Sequence, residues 1–166
     1  RKKNMLIVSR NLGKIKKWAH HCPSNYSHKY HLMAAEKARV LGKERKAIKH
    51  YGLAAQRARE NGFLHEEALS LELTAKFWLG LKEEKAAALY LNEARSIYRV
   101  WGATAKIDHL EKQYHHILSA YSEKLSTSSD TTSTGTGSTD SIDLTTVIKT
   151  SQTLSSEIDL HRLLKE

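Results

Sequence analysis

Apolar residues recur at intervals of three and four through most of this chain, the spacing that lines one side of a helix. In residues 4–20, Met5, Val8, Leu12, Ile15 and Ala19 form such a stripe, with Trp18 beside it and Lys14, Lys16 and Lys17 off it. The spacing predicts a helix, weakened at Gly13, because an interior glycine costs about 1 kcal/mol relative to alanine. Cys22-Pro23-Ser24-Asn25 interrupts the pattern. Proline cannot continue a helix, and the residue before it prefers an extended backbone. Residues 27–41 then carry Tyr30, Ala34, Ala35, Ala38 and Leu41 on one side and end at Gly42. Residues 44–60 turn Ala47, Tyr51, Ala54 and Ala58 inward and stop at Asn61-Gly62, a left-handed helix end. Residues 64–80 present Ala68, Leu71, Ala75 and Trp78, and residues 83–101 present Ala87, Leu91, Ala94 and Tyr98 before Gly102. A last helix, from 105 to about 123, has Leu110, Tyr114, Ile117 and Leu118 inward and is placed to cap the rest.

The four central helices nearly repeat. A displacement of 40 positions lays Ala35 on Ala75, Ala38 on Trp78, Leu41 on Leu81, Ala47 on Ala87, Tyr51 on Leu91 and Ala54 on Ala94. It also lays Gly62 on Gly102. Such a period marks an array of helical hairpins, each burying its apolar face by stacking on the next. Alanines at 35, 47, 54, 75, 87 and 94 let helix axes approach closely. This small–large–small pattern, with its glycine stops, resembles tetratricopeptide repeats, at a longer period than their usual ~34 residues. The resemblance implies an all-α fold of antiparallel hairpins. Residues 1–20 read as the last helix of a preceding repeat and 26–123 as the array. The packing positions are Ala35, Ala47, Tyr51, Ala54, Ala75, Trp78, Ala87, Leu91 and Ala94.

Residues 124–141 are dominated by Ser, Thr and Gly, can bury almost nothing, and read as a flexible linker. Beyond them Leu144, Val147, Ile148, Ser151, Leu154 and Ile158 alternate threes and fours. That is the seam of a helix that pairs with another, through a homodimer or a following domain. Asp143 is placed to cap its start.

Totals narrow the class. A length of 166 residues suits one modest domain and a tail. No apolar run approaches the roughly 20 residues that span a bilayer, and no secretory leader is legible, so no membrane insertion is expected. The single cysteine, Cys22, cannot form an internal disulfide, which fits a reducing cytoplasm. The net charge of +9 is uneven: residues 1–60 hold 16 Lys/Arg against three Glu. That third could meet phosphates or an acidic protein surface, although Lys and Arg ordinarily solvate outer helix faces.

Searches for chemistry return little. No Gly-rich phosphate cradle occurs outside Gly135-Thr136-Gly137 in the linker, so no nucleotide cofactor is expected here. His20, His21, Cys22, His28 and His31 lie close in sequence, but only His28 and His31 share a helical face, and no second cysteine or neighbouring carboxylate joins them. They read as exposed histidines at a helix junction, and no metal is expected. Glu66, Glu67, Glu83 and Glu84 sit in first turns, where they favour helix N-termini electrostatically. Trp78, Tyr51 and Tyr98 take inward positions, which weakens a single-strand nucleic-acid reading that needs exposed aromatics.

Three stretches together resemble one family. Lys16-Lys17-Trp18-Ala19-His20-His21-Cys22-Pro23 leads into His28-Lys29-Tyr30-His31-Leu32 and Ala35-Glu36-Lys37-Ala38-Arg39-Val40-Leu41-Gly42. Trp101-Gly102-Ala103 follows the second hairpin, and Ile142-Asp143-Leu144-Thr145-Thr146-Val147-Ile148-Lys149 continues through Leu154 to Ile158-Asp159-Leu160. They are similar to the middle of very large microbial multi-sensor signalling kinases. In that family a Ser/Thr-kinase-like domain and an AAA-type ATPase precede a helical-repeat region, and a GAF sensor and histidine kinase follow. The resemblance makes 142–166 a signalling helix leading into a GAF domain, and leaves ATP binding and catalysis to other parts of the parent. It implies a non-catalytic connector that binds protein and transmits signal. The alternative is a basic helical-repeat module for nucleic acid.

Overall fold

The computed structural model describes residues 2–121, and every regular element among them is an α-helix. Six carry labels: α1 (Lys2–His21), α2 (Pro23–Val40), α3 (Glu44–Glu60), α4 (Leu64–Gly80), α5 (Glu84–Trp101) and α6 (Thr104–Gln113). After a turn at Tyr114, helical backbone resumes over residues 115–121. Helices α2 and α3 pack as one hairpin and α4 and α5 as another; α3 packs on α4, α1 on α2, and α6 on α5.

The stack is set by one turn used four times. At Gly42, Gly62, Lys82 and Gly102 the backbone is left-handed, with φ of 66°, 76°, 63° and 83°. Each of these residues donates its N–H to the carbonyl three back, and the residue after it donates to the carbonyl five back, as in Lys43 to Ala38 (2.9 Å) and Phe63 to Ala58 (2.9 Å). That double closure satisfies carbonyls that a helix end would otherwise leave without donors. The same following residue opens the next helix, its carbonyl accepting from Ala47, Glu67, Ala87 or Ile107. One three-residue turn thus ends a helix, reverses the chain and starts another, with no side-chain cap at any start. Glycine takes three of the four positions because only it enters this region without a Cβ penalty.

Two departures from the periodicity concern helix ends. The Cys22–Asn25 stretch breaks the chain for a single residue, not four: Pro23 occupies the first position of α2. There its missing N–H would be unpaired anyway and its fixed φ suits a helix. The last helix is not continuous from 105 to 123 but bends at Tyr114, whose N–H still reaches Leu110 (2.9 Å) while Ile117 and Leu118 both donate to its carbonyl (3.0 Å each).

The interior divides into two apolar clusters that share α4. One holds Ala35, Ala38, Ala47, Tyr51 and Phe77, with Trp78 packed against it. The other holds Ala68, Leu71, Ala75, Leu91, Ala94, Tyr98, Leu110 and their neighbours through Leu118. Phe77 faces the first cluster and Leu71 and Ala75 the second, so α4 is enclosed on more than one side. It accordingly buries more residues than any other of the six helices, Glu67, Ser70, Glu72 and Thr74 among them. Leu41, placed inward by spacing, is 47% exposed instead, since it lies where α2 already turns away.

Candidate functional site

The polar side chains between these helices do structural work. Glu72 on α4 is 1% exposed and accepts from Tyr98 of α5 (2.9 Å), Lys76 of its own helix (2.7 Å) and Lys106 of α6 (3.0 Å). Burial alone would push its carboxyl up, but these donors hold it below the usual carboxylate range. Glu67, also on α4, is as deeply buried and accepts from Arg59 Nε of α3 (2.6 Å), whose Nη2 reaches Glu93 of α5 (2.5 Å). Glu36 of α2 accepts from Tyr51 of α3 and from the Arg39 guanidinium (2.7 Å at Nη2). Burial opposes its ionisation, yet the Arg39 and Tyr51 bonds keep it low. Each carboxylate is thus claimed by donors from at least one other helix.

His20 and His21 are exposed as expected of the helix junction, but His28 and His31 are not. His28 is 2% exposed, faces the Glu66 carboxylate of α4 through Nε2 and stacks on Phe63 with centroids 4.6 Å apart. Burial lowers its basicity despite that carboxylate. A carboxylate that is distant in sequence is therefore brought beside it, and Glu66 acts across helices as well as on its own N-terminus. His31 of α2 meets His50 of α3, Nδ1 to Nδ1 at 3.0 Å, with the rings 5.2 Å apart. Burial and then the nearby positive charges of His50, Arg57 and Lys49 bring His31 down to about 4. His50 is lowered by burial, Lys49 and Lys46. Two imidazoles at this separation share one hydrogen bond only while at least one of them is neutral. Among the described residues no three His, Cys, Asp or Glu side chains converge to hold a metal ion.

Of the packing positions, Ala35, Ala47, Tyr51, Ala54, Ala75, Ala87, Leu91 and Ala94 are buried, while Trp78 is half-buried with its Nε1 unpaired inside the stack. The linker 124–141 and the seam Leu144, Val147, Ile148, Ser151, Leu154 and Ile158 lie outside the described residues.

Two grooves flank α2. One, about 390 Å³, is apolar, lined by Met5 and Val8 of α1, Leu32, Met33 and Val40 of α2, and Leu73 of α4. The other, about 190 Å³, lies among α1, α2 and α3, with Leu12, Ala34, Ala38 and Leu41 beside Tyr30, Lys37, Lys43, Lys46 and His50. Sequence spacing missed this second groove, because Lys37, Lys43 and Lys46 come from three different places in one hairpin. The concentration of Lys and Arg before residue 60 was its one visible signal.

The chain matches no protein-family model, no curated protein and no solved structure. Among the described residues no helix is long and apolar enough to cross a membrane.

Proposed function

We propose that the chain is a non-catalytic connector within a large microbial multi-sensor signalling kinase. Its hairpins, of tetratricopeptide-like type, form a scaffold for protein, and residues 142–166 carry a change of state toward a GAF and histidine-kinase module. The observation that carries this reading is where the polar chemistry goes. Glu36, Glu66, Glu67 and Glu72 all bridge helix to helix, and none is left to act on a small molecule. Cohesion of a stack is what such bridges supply. The family resemblance rests on the three stretches quoted above, and the cytoplasm is the compartment in which the lone Cys22 stays reduced.

Transmission would run through the seam of residues 144–158, a two-state element of rotation or register. Inserting one residue after Leu154 turns the following seam by about 100°. In the full-length parent this insertion changes kinase output; unchanged output rejects the transmission role.

The second reading, a nucleic-acid module, has one observation in its favour: Lys43, Lys46 and Lys49 have no carboxylate partner among the described residues. It calls for salt-sensitive gel shifts. Absence of binding at about 50 mM salt dismisses it.

A further inference from the structure

We propose that the groove among α1, α2 and α3 receives an acidic amphipathic segment of a partner protein, apolar side chains on its floor and carboxylates on its lysine rim. This rests on the scaffold reading above and gives it a place and a partner class.

The imbalance of charge there is local and specific. Elsewhere in the stack, cations that lie between helices meet carboxylates: Arg59 meets Glu67 and Glu93, Lys106 meets Glu72, Arg95 meets Glu111. On this groove the pattern stops. Lys43 and Lys46 have no such partner among the described residues, and Lys37 Nζ donates to the neutral Ser9 Oγ at 2.9 Å. His31 and His50 add two more nitrogen bases on the same side, and Lys49 and Arg57 lie close enough to depress them. Arg57 alone has a carboxylate, Glu60, at 2.8 Å on the surface. Cations left without counter-charge around a concave site favour an anionic visitor, and they speed its arrival.

The floor selects among anions. Leu12, Ala34, Ala38 and Leu41 offer apolar contact and Tyr30 an aromatic edge. A free phosphate gains nothing from such a floor, and a nucleic-acid backbone needs a longer basic track than three lysines. A helix with leucines on one side and glutamates flanking them matches both parts, by the helix-in-groove mode.

The test uses the full 166-residue chain and a fluorescein-labelled 14-residue peptide with leucine at helical spacing and glutamate elsewhere. Controls are the same peptide with lysine for glutamate, and a single-stranded oligonucleotide. Fluorescence anisotropy should show saturable binding of the acidic peptide alone, weakening as salt rises. The triple variant Lys37→Glu, Lys43→Glu, Lys46→Glu should raise its Kd at least about tenfold, with helical circular dichroism unchanged. A second triple variant reversing Lys82, Lys85 and Lys112, away from the groove, should leave the Kd within about twofold. Should the first variant lose its helicity, the single variant Leu12→Glu, at a half-buried position of α1, replaces it with the same expected loss. Equal binding by wild type and groove variants overturns the proposal, as does preference for the oligonucleotide or the lysine peptide, or no peptide binding at all. Because the readout is binding and not kinase output, this test and the insertion after Leu154 fail independently.

Discussion

Single residues decide the turns and the acid sensitivity of the stack. Lys82 holds a backbone that glycine holds at the three matching positions, and a side chain in that region costs roughly 1 kcal/mol. Space is open there, since the same turn carries glycines with nothing close to an added Cβ. Lys82→Gly therefore raises stability by about 0.5–1 kcal/mol, read as a higher urea midpoint with unchanged slope. A lower midpoint would mean that Lys82 makes a compensating contact. The histidines set the pH response. His28, His31 and His50 are all less basic folded than the 6.5 of an unfolded chain. The folded state thus binds fewer protons, and the stability they contribute is complete above 6.5 and drains away as pH falls toward about 4, where His31 titrates. Glu36 and Glu72, held low, add loss of the same sign below their ordinary 4.5. Urea midpoints should fall between about pH 7 and pH 5, and His31→Gln, which keeps a partner for His50, should shrink that fall. A midpoint that rises on acidification contradicts this.

At the scale of helices, local pattern was legible and distant pairing was not. The spacings of alanine and the positions of Gly62 and Gly102 gave α3 and α5 their C-terminal ends, because both signals act within one turn of helix. The start of α2 was misplaced by four residues, since proline reads as a breaker unless its place as first helical residue is recognised. The bend at Tyr114 has no Gly or Pro to announce it. Nor did anything in the sequence join Glu72 to Tyr98 and Lys106, 26 and 34 positions away. Pairs of that kind depend on the stack being built first. Their energetic weight is testable at Tyr98, whose hydroxyl is pushed well above its ordinary range by burial and by the Glu72 carboxylate it serves. Tyr98→Phe keeps the ring in the second cluster and removes one donor from a buried charge. It should cost about 1.5–3 kcal/mol of unfolding free energy. A cost near zero would show that Lys76 and Lys106 satisfy Glu72 alone.

On the scale of the molecule, the same sequence features serve inside and outside differently. Alanines and carboxylate bridges hold α2 through α6 as a stack, with α4 in both clusters. Lys37, Lys43 and Lys46, none with a carboxylate partner among the described residues, line the groove among α1, α2 and α3. A stack whose interior charges are matched, and whose groove among α1, α2 and α3 carries unmatched lysines, is built to hold a partner. The direct test is residue-resolved amide NMR of the full chain during titration with the leucine–glutamate peptide. The account predicts shifts confined to the groove, around Leu12, at residues 30–46 and at His50, with α5 and α6 still. Shifts centred on α5 and α6, or none at saturating peptide, would contradict it.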